Sequence, residues 1–296
     1  MVLIDRLTTS TQNSKTMESL AIAQARMARV QNQVSSGKAF ERASEDPNSA
    51  RVAMSLRSEQ MRVAQYTKNI DNGLLQLNAA RIHVESANGQ LLRVRDLVVQ
   101  GQSPTANASM RSALAAEVDV LRSSLLVDAN AQFGGRPLFG GATSGTTAYS
   151  NVGVYTGDTN AVTTRVDAES TVRIELNGPE VFGADGANFY TVLTSIAANL
   201  RSNPAGDLAT DLTNLDALLQ RAGDAQATIG TRISQLNELK DVTADKDVDI
   251  TGALGRVEDT DLSKAIMELT LQQTGYEAAL RATASVMQGS LMDFLR

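Results

Sequence analysis

The sequence predicts a mainly α-helical protein: an elongated rod of long antiparallel helices, with paired N- and C-terminal coiled-coil helices and a small β-rich domain inserted in mid-chain. Three observations lead to this prediction. Apolar residues recur at alternating steps of three and four near both chain ends, and a strict seven-residue repeat runs between positions 56 and 98. Short stretches that alternate with β-branched residues interrupt the helical pattern between positions 151 and 176.

The first predicted helix carries a short apolar seam near the N-terminus. Its members are Leu20, Ala23, Met27, Val30 and Val34. The pattern stops at Ser35-Ser36-Gly37, because glycine commonly ends a helix. The other end of the chain offers a similar narrow stripe, so the two terminal helices are expected to pair with each other.

The next helix is predicted to start at the signature turn Glu45-Asp46-Pro47, where a carboxylate precedes a proline in the first turn. Its apolar residues are spaced seven apart: Leu56, Val63, Ile70, Leu77, Val84, Leu91 and Val98. Such a repeat predicts left-handed supercoiling over a helix about 75 Å long. Gly101-Gln102-Ser103-Pro104 ends this helix, and the helix around residues 110–125 is expected to fold back on it.

A β-rich insert is expected from Arg136 onward, with strands at 151–155, 163–166 and 171–176. Helix returns at 188–200 and again at 208–240, where the four-three rhythm holds. The alternating carboxylates of residues 245–249 resemble a calcium loop, but Ile250 replaces the required glycine. A solvated loop without metal is therefore expected there.

The pattern of the last predicted helix continues to the end of the chain. Its seam is Leu262, Ile266, Leu269, Gln273, Tyr276, Leu280, Thr283, Met287, Ser290 and Phe294. Three of these residues are polar, so a lone helix of this kind would be weakly stable in water and needs a partner. Three domains follow: a terminal helical assembly domain at 1–45 with 257–296, a helical rod domain at 46–135 with 205–256, and an outer β-rich domain at 136–204.

Composition and charge argue against several function classes. The chain has 27 basic and 33 acidic residues and no basic run, so neither nucleic acid nor an anionic membrane surface is an expected partner. It has no cysteine and no eighteen-residue apolar window, and a cleaved signal peptide is not expected. The single histidine, His83, is expected to be structural or at the surface. No catalytic residue, cofactor or metal site is predicted.

Several motifs resemble the bacterial flagellin superfamily. Residues 34–38, Val-Ser-Ser-Gly-Lys, and 44–50, Ser-Glu-Asp-Pro-Asn-Ser-Ala, resemble its N-terminal signature, and the Glu-Asp-Pro version is closer to the hook-associated branch. The C-terminal segments 257–262, 276–280 and 291–296 are similar to the end of that same branch. Residues 136–141, Arg-Pro-Leu-Phe-Gly-Gly, resemble the segment by which the branch enters its outer domain.

This resemblance implies a structural, non-enzymatic subunit of the bacterial flagellum that joins hook to filament. It implies terminal helices that form the inner tube of the axial structure and stay largely unfolded until neighbours assemble. Export would run through the flagellar secretion channel to the extracellular structure, with a chaperone bound to the C-terminal segment, roughly Leu254 to Arg296. The other expected partners are copies of the chain itself, a neighbouring hook-associated protein and flagellin.

The expected assembly interface consists of apolar seam residues of both terminal helices: Leu20, Met27, Val34, Leu262, Ile266, Leu269, Tyr276, Leu280, Met287 and Phe294. Three alternatives remain open at this point. The chain could be a filament flagellin with a small outer domain, or it could carry an enzyme domain at residues 136–204. It could also be a soluble coiled-coil scaffold unrelated to flagella.

Overall fold

The computed structural model describes residues 2–143, 145–202 and 205–294, and it gives only the backbone of residues 2–10, 12, 13, 205, 206 and 285–294. Seven helices form within these ranges: α1 Val2–Ser36, α2 Pro47–Gly101, α3 Ala108–Ala129, α4 Gly178–Phe182, α5 Phe189–Ser202, α6 Ala205–Glu258 and α7 Leu262–Phe294. The strands are β1 Gln132–Phe133, β2 Arg136–Pro137, β3 Thr163–Arg165 and β4 Thr171–Arg173. The mainly α prediction is confirmed.

The chain divides into two compact units. The terminal unit comprises residues 1–61 and 248–296, and the central unit comprises residues 62–247. Both boundaries lie inside long helices, α2 and α6, rather than at helix ends. The terminal unit therefore contains helices α1 and α7 together with the first part of α2 and the last part of α6.

The core of the central unit is built on the predicted seven-residue repeats. In α2 the buried members are Val63, Ile70, Leu77, Val84, Leu91 and Val98, each at most 3% exposed. In α6 the buried members are Leu208, Leu215, Ala222, Ile229 and Leu236. Because burial of large apolar side chains is the main stabilising term in folding, both repeats mark the core correctly.

Ion pairs fix the direction of the central helices. Asp71 of α2 accepts a bond from Lys240 of α6 at 2.7 Å, and Arg95 of α2 pairs with Asp216 of α6 at 2.9 Å. Residue numbers rise along one helix as they fall along the other, so α2 and α6 are antiparallel. The predicted antiparallel arrangement of the central helices is therefore confirmed.

Helix α3 folds back on α2 through a buried carboxylate. Asp128 of α3, 9% exposed, accepts hydrogen bonds from Ser86 Oγ at 2.8 Å and Gln90 Nε2 at 2.7 Å. His83 Nδ1 lies 2.9 Å from the same carboxylate group. The single histidine of the chain thus holds two helices together, as a structural histidine would.

Two glycines of α2 mark close approaches. A Cβ atom at Gly73 would lie 2.9 Å from a methyl group of Ile174 and 3.2 Å from one of Leu236, so a larger residue would require these side chains to shift. At Gly89 nothing lies within 4 Å of that position. At Gly101, the last residue of α2, an added Cβ atom would overlap the side chain of Leu200. Gly73 and Gly101 thus lie in close contacts and Gly89 does not.

The β region contains two small antiparallel hairpins, of which the β1–β2 hairpin begins before Arg136. In one, β3 pairs with β4, with Thr163 opposite Arg173 and Arg165 opposite Thr171. The expected strand at 151–155 is wrong: this segment is a turn with Gly153 at φ 76°. Asn188 Nδ2 donates to the Gly153 carbonyl at 2.7 Å and holds the turn, which the alternation of the sequence does not reveal.

Two further expectations need correction. Residues 245–249 are not a loop but part of α6, which continues to Glu258. The segment holds neither glycine nor proline, so nothing in it breaks a helix. Helix α4 is not among the predicted helices; it begins just after the strand expected at 171–176, because Pro179 fits the first turn of a helix.

Candidate assembly site

The terminal helices are joined where α1 ends and α7 begins. Helix α1 stops at Ser36, and Gly37 takes φ 70°, the left-handed conformation that glycine adopts at low cost. The backbone N–H of Ala39 then donates to the Glu258 carbonyl at 2.7 Å, and that of Thr260 donates to the Gly37 carbonyl at 2.9 Å. Lys38 and Asp259 thus form an antiparallel β-bridge between the segment after α1 and the segment before α7.

Charged side chains reinforce this bridge. Glu258 is only 4% exposed, and its carboxylate lies 3.3 Å from Lys38 Nζ and 2.8 Å from Arg57 Nη2. Lys38 also pairs with Asp259 at 2.9 Å. The hydrogen bond to Asp259 raises the pKa of Lys38, with a further contribution from Glu258, so the ammonium form is favoured. We call Lys38, Arg57, Glu258 and Asp259 the junction clamp.

The predicted signature turn starts helix α2 beside the junction clamp. Asp46 precedes Pro47, the first residue of the helix, and its carboxylate accepts bonds from the backbone of Asn48 at 3.2 Å and of Ser49 at 3.0 Å. These bonds, above all those from Ser49, lower the pKa of Asp46. Glu45 accepts a bond from the Glu41 backbone at 3.0 Å, which lowers its pKa in the same way. The turn is therefore a helix cap.

Helices α1 and α7 pack against each other, as the two terminal patterns predicted. On α1 the predicted seam is the covered face: Leu20, Ala23, Met27 and Val34 are half-buried and Val30 is buried. Hydrophobic periodicity therefore identified the correct face of this helix.

The covered face of α7 is displaced from the predicted seam. It consists of Ala265, Leu269, Gln272, Tyr276, Ala279 and Thr283, of which Ala265 and Thr283 are buried. Only Leu269, Tyr276 and Thr283 belong to both sets. The other covered positions hold the small or polar residues Ala265, Gln272 and Ala279. Apolar periodicity does not identify these positions because it relies on large apolar side chains.

The remaining apolar residues predicted on α7 are exposed where their side chains are described. Leu262 is 50%, Ile266 53% and Leu280 41% exposed. Met287 and Phe294 lie outside the residues whose side chains the structure describes. The exposed apolar residues Met267 and Leu271 were not in the predicted set. Helix α7 thus carries large apolar side chains beyond those that its pairing with α1 covers.

A shallow groove opens beside the junction clamp within the terminal unit. It measures about 270 Å³ and is lined in part by Phe40, Ala50, Ala53, Met54 and Arg57. Its other lining residues include Ser36, Lys38, Glu41 and Glu258, so charged residues of the junction clamp border the groove. Over the described ranges, no group of three or more His, Asp or Glu residues is placed to hold a metal ion.

Among the described residues, no helix is both long and apolar enough to cross a membrane.

Comparison with known proteins adds independent observations. A family model described as the bacterial flagellin N-terminal helical region matches residues 7–144. Flagellar hook-associated protein 3 of Escherichia coli (strain K12) is 24% identical over 310 residues, which cover 96% of this chain and 97% of that protein. Flagellin FlaB1 of Treponema pallidum (strain Nichols) is 24% identical over 276 residues, with 89% and 90% covered.

A solved structure shares the fold. The structure of a flagellar hook-associated protein from Vibrio parahaemolyticus aligns with a TM-score of 0.68 and 22% sequence identity. The alignment covers 73% of this chain and the whole of that chain. The arrangement of long helices around a small β region is therefore common to both chains.

Proposed function

We infer that this chain belongs to the hook-associated branch of the bacterial flagellin superfamily and is a structural subunit of the flagellum that joins the hook to the filament. One observation carries this inference. The similarity to flagellar hook-associated protein 3 extends over nearly the full length of both chains, so it includes the N-terminal signature, the β-rich insert and the C-terminal helix together. A shared helical segment alone would not give that coverage.

Assembly is proposed to use the terminal helices. Leu262, Ile266 and Leu280 remain exposed after α1 and α7 have paired, and exposed apolar side chains on α7 can contribute to an interaction surface. Neighbouring subunits of a helical lattice meet through two different surfaces, head to tail, so one face of α7 can bind α1 while another binds the next copy. The predicted interface residues thereby divide into an internal and an external group.

The three domains are proposed to have separate roles. Residues 1–45 with 257–296 would form the assembly domain, residues 46–135 with 205–256 the helical rod, and residues 136–204 an outer domain directed away from the axis. The proposal is supported by the chemistry of each part: the insert packs around aromatic rings, with Phe139 and Phe182 5.1 Å apart, whereas the terminal helices rely on a narrow seam.

The proposed partners are copies of the chain, a neighbouring hook-associated protein and flagellin in the extracellular axial structure. Export would use the flagellar secretion channel, and an export chaperone would bind the C-terminal segment. The exposed apolar side chains of α7, including Met267 and Leu271, give such a chaperone a surface to cover before assembly. We further propose that the chain has no enzymatic role.

A filament flagellin is the second candidate function. The similarity to flagellin FlaB1 over 89% of this chain favours it. The family model that matches residues 7–144 is also named after the flagellin N-terminal helical region. Against it stand the Glu45-Asp46-Pro47 turn and the Phe294-Leu295-Arg296 ending, which are closer to the hook-associated branch.

Deletion of the gene separates the two candidates. If the chain joins hook to filament, cells without it should keep their hooks, fail to hold filaments and release flagellin into the medium. Restoring the gene should restore filaments. If the chain is a filament flagellin, the deletion should remove its own protein from the filament without releasing any other flagellin.

A further inference from the structure

A cluster of four charged side chains lies where the β-rich insert meets helix α6. Its members are Arg173 of β4, Glu175 just after β4, Glu180 of α4 and Arg232 of α6, and we call them the Glu175 cluster. The guanidinium of Arg232 donates a hydrogen bond to the backbone carbonyl of Glu175. The cluster therefore ties three elements of the central unit together.

The two arginines of the cluster form their hydrogen bonds with groups other than the Glu175 carboxylate. Arg173 holds Glu180 with both terminal nitrogens, each bond measuring 3.0 Å. Its distance to Glu175 Oε1 is longer, 3.6 Å. Arg232 donates its hydrogen bond to the backbone carbonyl of Glu175 and not to the carboxylate. Glu175 thus shares one cation with Glu180 and has no cation of its own among the described residues.

The carboxylate of Glu175 is also poorly hydrogen-bonded. The residue is 2% exposed, and within the described part of the chain Oε1 has no hydrogen-bond partner. Burying a charge without full pairing and hydrogen bonding costs free energy. Burial accordingly raises the pKa of Glu175, and a backbone hydrogen bond from Val162 and the charge of Arg173 offset only part of this. The hydroxyl of Tyr155 offers no hydrogen bond to this carboxylate, because it donates to the backbone carbonyls of Phe139 at 3.1 Å and Asp158 at 2.8 Å.

The sign of the resulting pH dependence follows from linkage. A carboxyl group whose pKa is higher in the folded state than its ordinary 4.5 binds more protons when folded than when unfolded over that interval. The free energy of local unfolding therefore falls as the pH rises from 4.5 through the folded pKa. Acidification through the same interval restores it.

We propose that the Glu175 cluster is an acid-strengthened clasp, in which loss of the negative charge on Glu175 tightens the attachment of β4 and α4 to helix α6. The neutral carboxyl group keeps its packing and removes the cost of a buried charge. Arg173 then forms an ion pair with Glu180 alone, and Arg232 keeps its hydrogen bond to the backbone carbonyl of Glu175. The clasp concerns the insert itself and does not depend on the flagellar role.

Hydrogen exchange on the full chain tests this proposal. The reporter is the Ile174 amide, which donates to the Val162 carbonyl at 3.1 Å across the hairpin region. Its protection factor, corrected for the intrinsic rate, should rise as the pH is lowered from about 7 to about 4.5, the ordinary pKa of the carboxyl group. In Glu175→Gln the protection should be high at both pH values and independent of pH. A tenfold change in protection corresponds to about one pH unit between the folded and unfolded pKa values.

A matched control variant is Glu169→Gln, which removes the same charge from an exposed position in the turn between β3 and β4. It should keep the pH dependence of the wild type. The proposal is overturned if Glu175→Gln keeps that dependence, or if wild-type protection falls on acidification. Should Glu175→Gln fail to fold, the ¹³C titration of the Glu175 side chain decides: a midpoint above 4.5 supports the clasp, and one at or below 4.5 overturns it.

Discussion

The ammonium group of Lys38 lies 3.3 Å from the carboxylate of Glu258, although 220 positions separate the two residues in the sequence. Arg57 reaches the same carboxylate from the first part of helix α2. One buried acid thus joins the end of α1, the start of α2 and the end of α6. The terminal unit is therefore held at the junction clamp as well as along the α1–α7 seam.

Replacing Glu258 with glutamine should loosen the junction clamp. The amide cannot neutralise Lys38 and Arg57, and the loss should be about 1–2 kcal/mol because both cations are partly exposed. Hydrogen exchange at the Ala39 and Thr260 amides reports the effect, since both bonds cross the bridge. The control Glu268→Gln changes an exposed residue of α7 and should leave both amides protected. Unchanged protection in Glu258→Gln would contradict the clamp.

Two glycine substitutions should have opposite effects on stability. At Gly37 the backbone is left-handed, so Gly37→Ala should destabilise the terminal unit by about 1–2 kcal/mol even though its Cβ would meet nothing within 4 Å. Gly223 lies inside α6 with equally open space, so Gly223→Ala should stabilise the protein by about 0.5–1 kcal/mol. Urea unfolding measures both. The same sign for both variants would refute this interpretation.

Helix α2 should lose its cap in acid. Because the hydrogen bonds from Ser49 lower the folded pKa of Asp46, its stabilising contribution is complete above the ordinary 3.8 and is lost as the pH falls through the lower folded value. The amide resonances of Asn48 and Ser49, titrated by NMR, should therefore shift with a midpoint below 3.8. This titration should vanish in Asp46→Asn and persist in the control Asp245→Asn. A midpoint at or above 3.8 would show that Asp46 is not the cap.

The two kinds of seam residue on α7 should respond differently to a charge. Leu280→Asp alters an exposed side chain, so α1 and α7 should still pair while assembly is lost. Leu269→Asp alters a half-buried one and should weaken the pair itself. Assembly is read from incorporation into flagella on cells, and pairing from hydrogen exchange of α1. The control Val152→Asp changes an exposed apolar residue of the insert. Normal assembly of the Leu269→Asp/Leu280→Asp double variant would exclude the proposed interface.

Large apolar repeats made most of the helical fold predictable. The seven-residue series of α2 and α6 became the core because each member contributes a bulky side chain to the same face. The start of α2 was equally visible, since carboxylate and proline act locally. Local chemistry and strong periodicity are the features that a single sequence displays directly.

Long-range and weakly apolar features could not be predicted. The bridge between Lys38 and Asp259 rests on backbone hydrogen bonds across distant segments, and no sequence pattern records those. The predicted seam of α7 missed the covered positions Ala265, Gln272 and Ala279, because these residues are small or polar. In the insert, Gly153 creates a turn where β-branched neighbours favour a strand.

The central claim, a junction between hook and filament, is tested most directly by immunogold electron microscopy of cells with an antibody against residues 136–204. The proposed function predicts a single spot of label where the hook meets the filament. Label along the whole filament would contradict it and identify a filament flagellin, and label confined to the cell interior would contradict a flagellar role altogether.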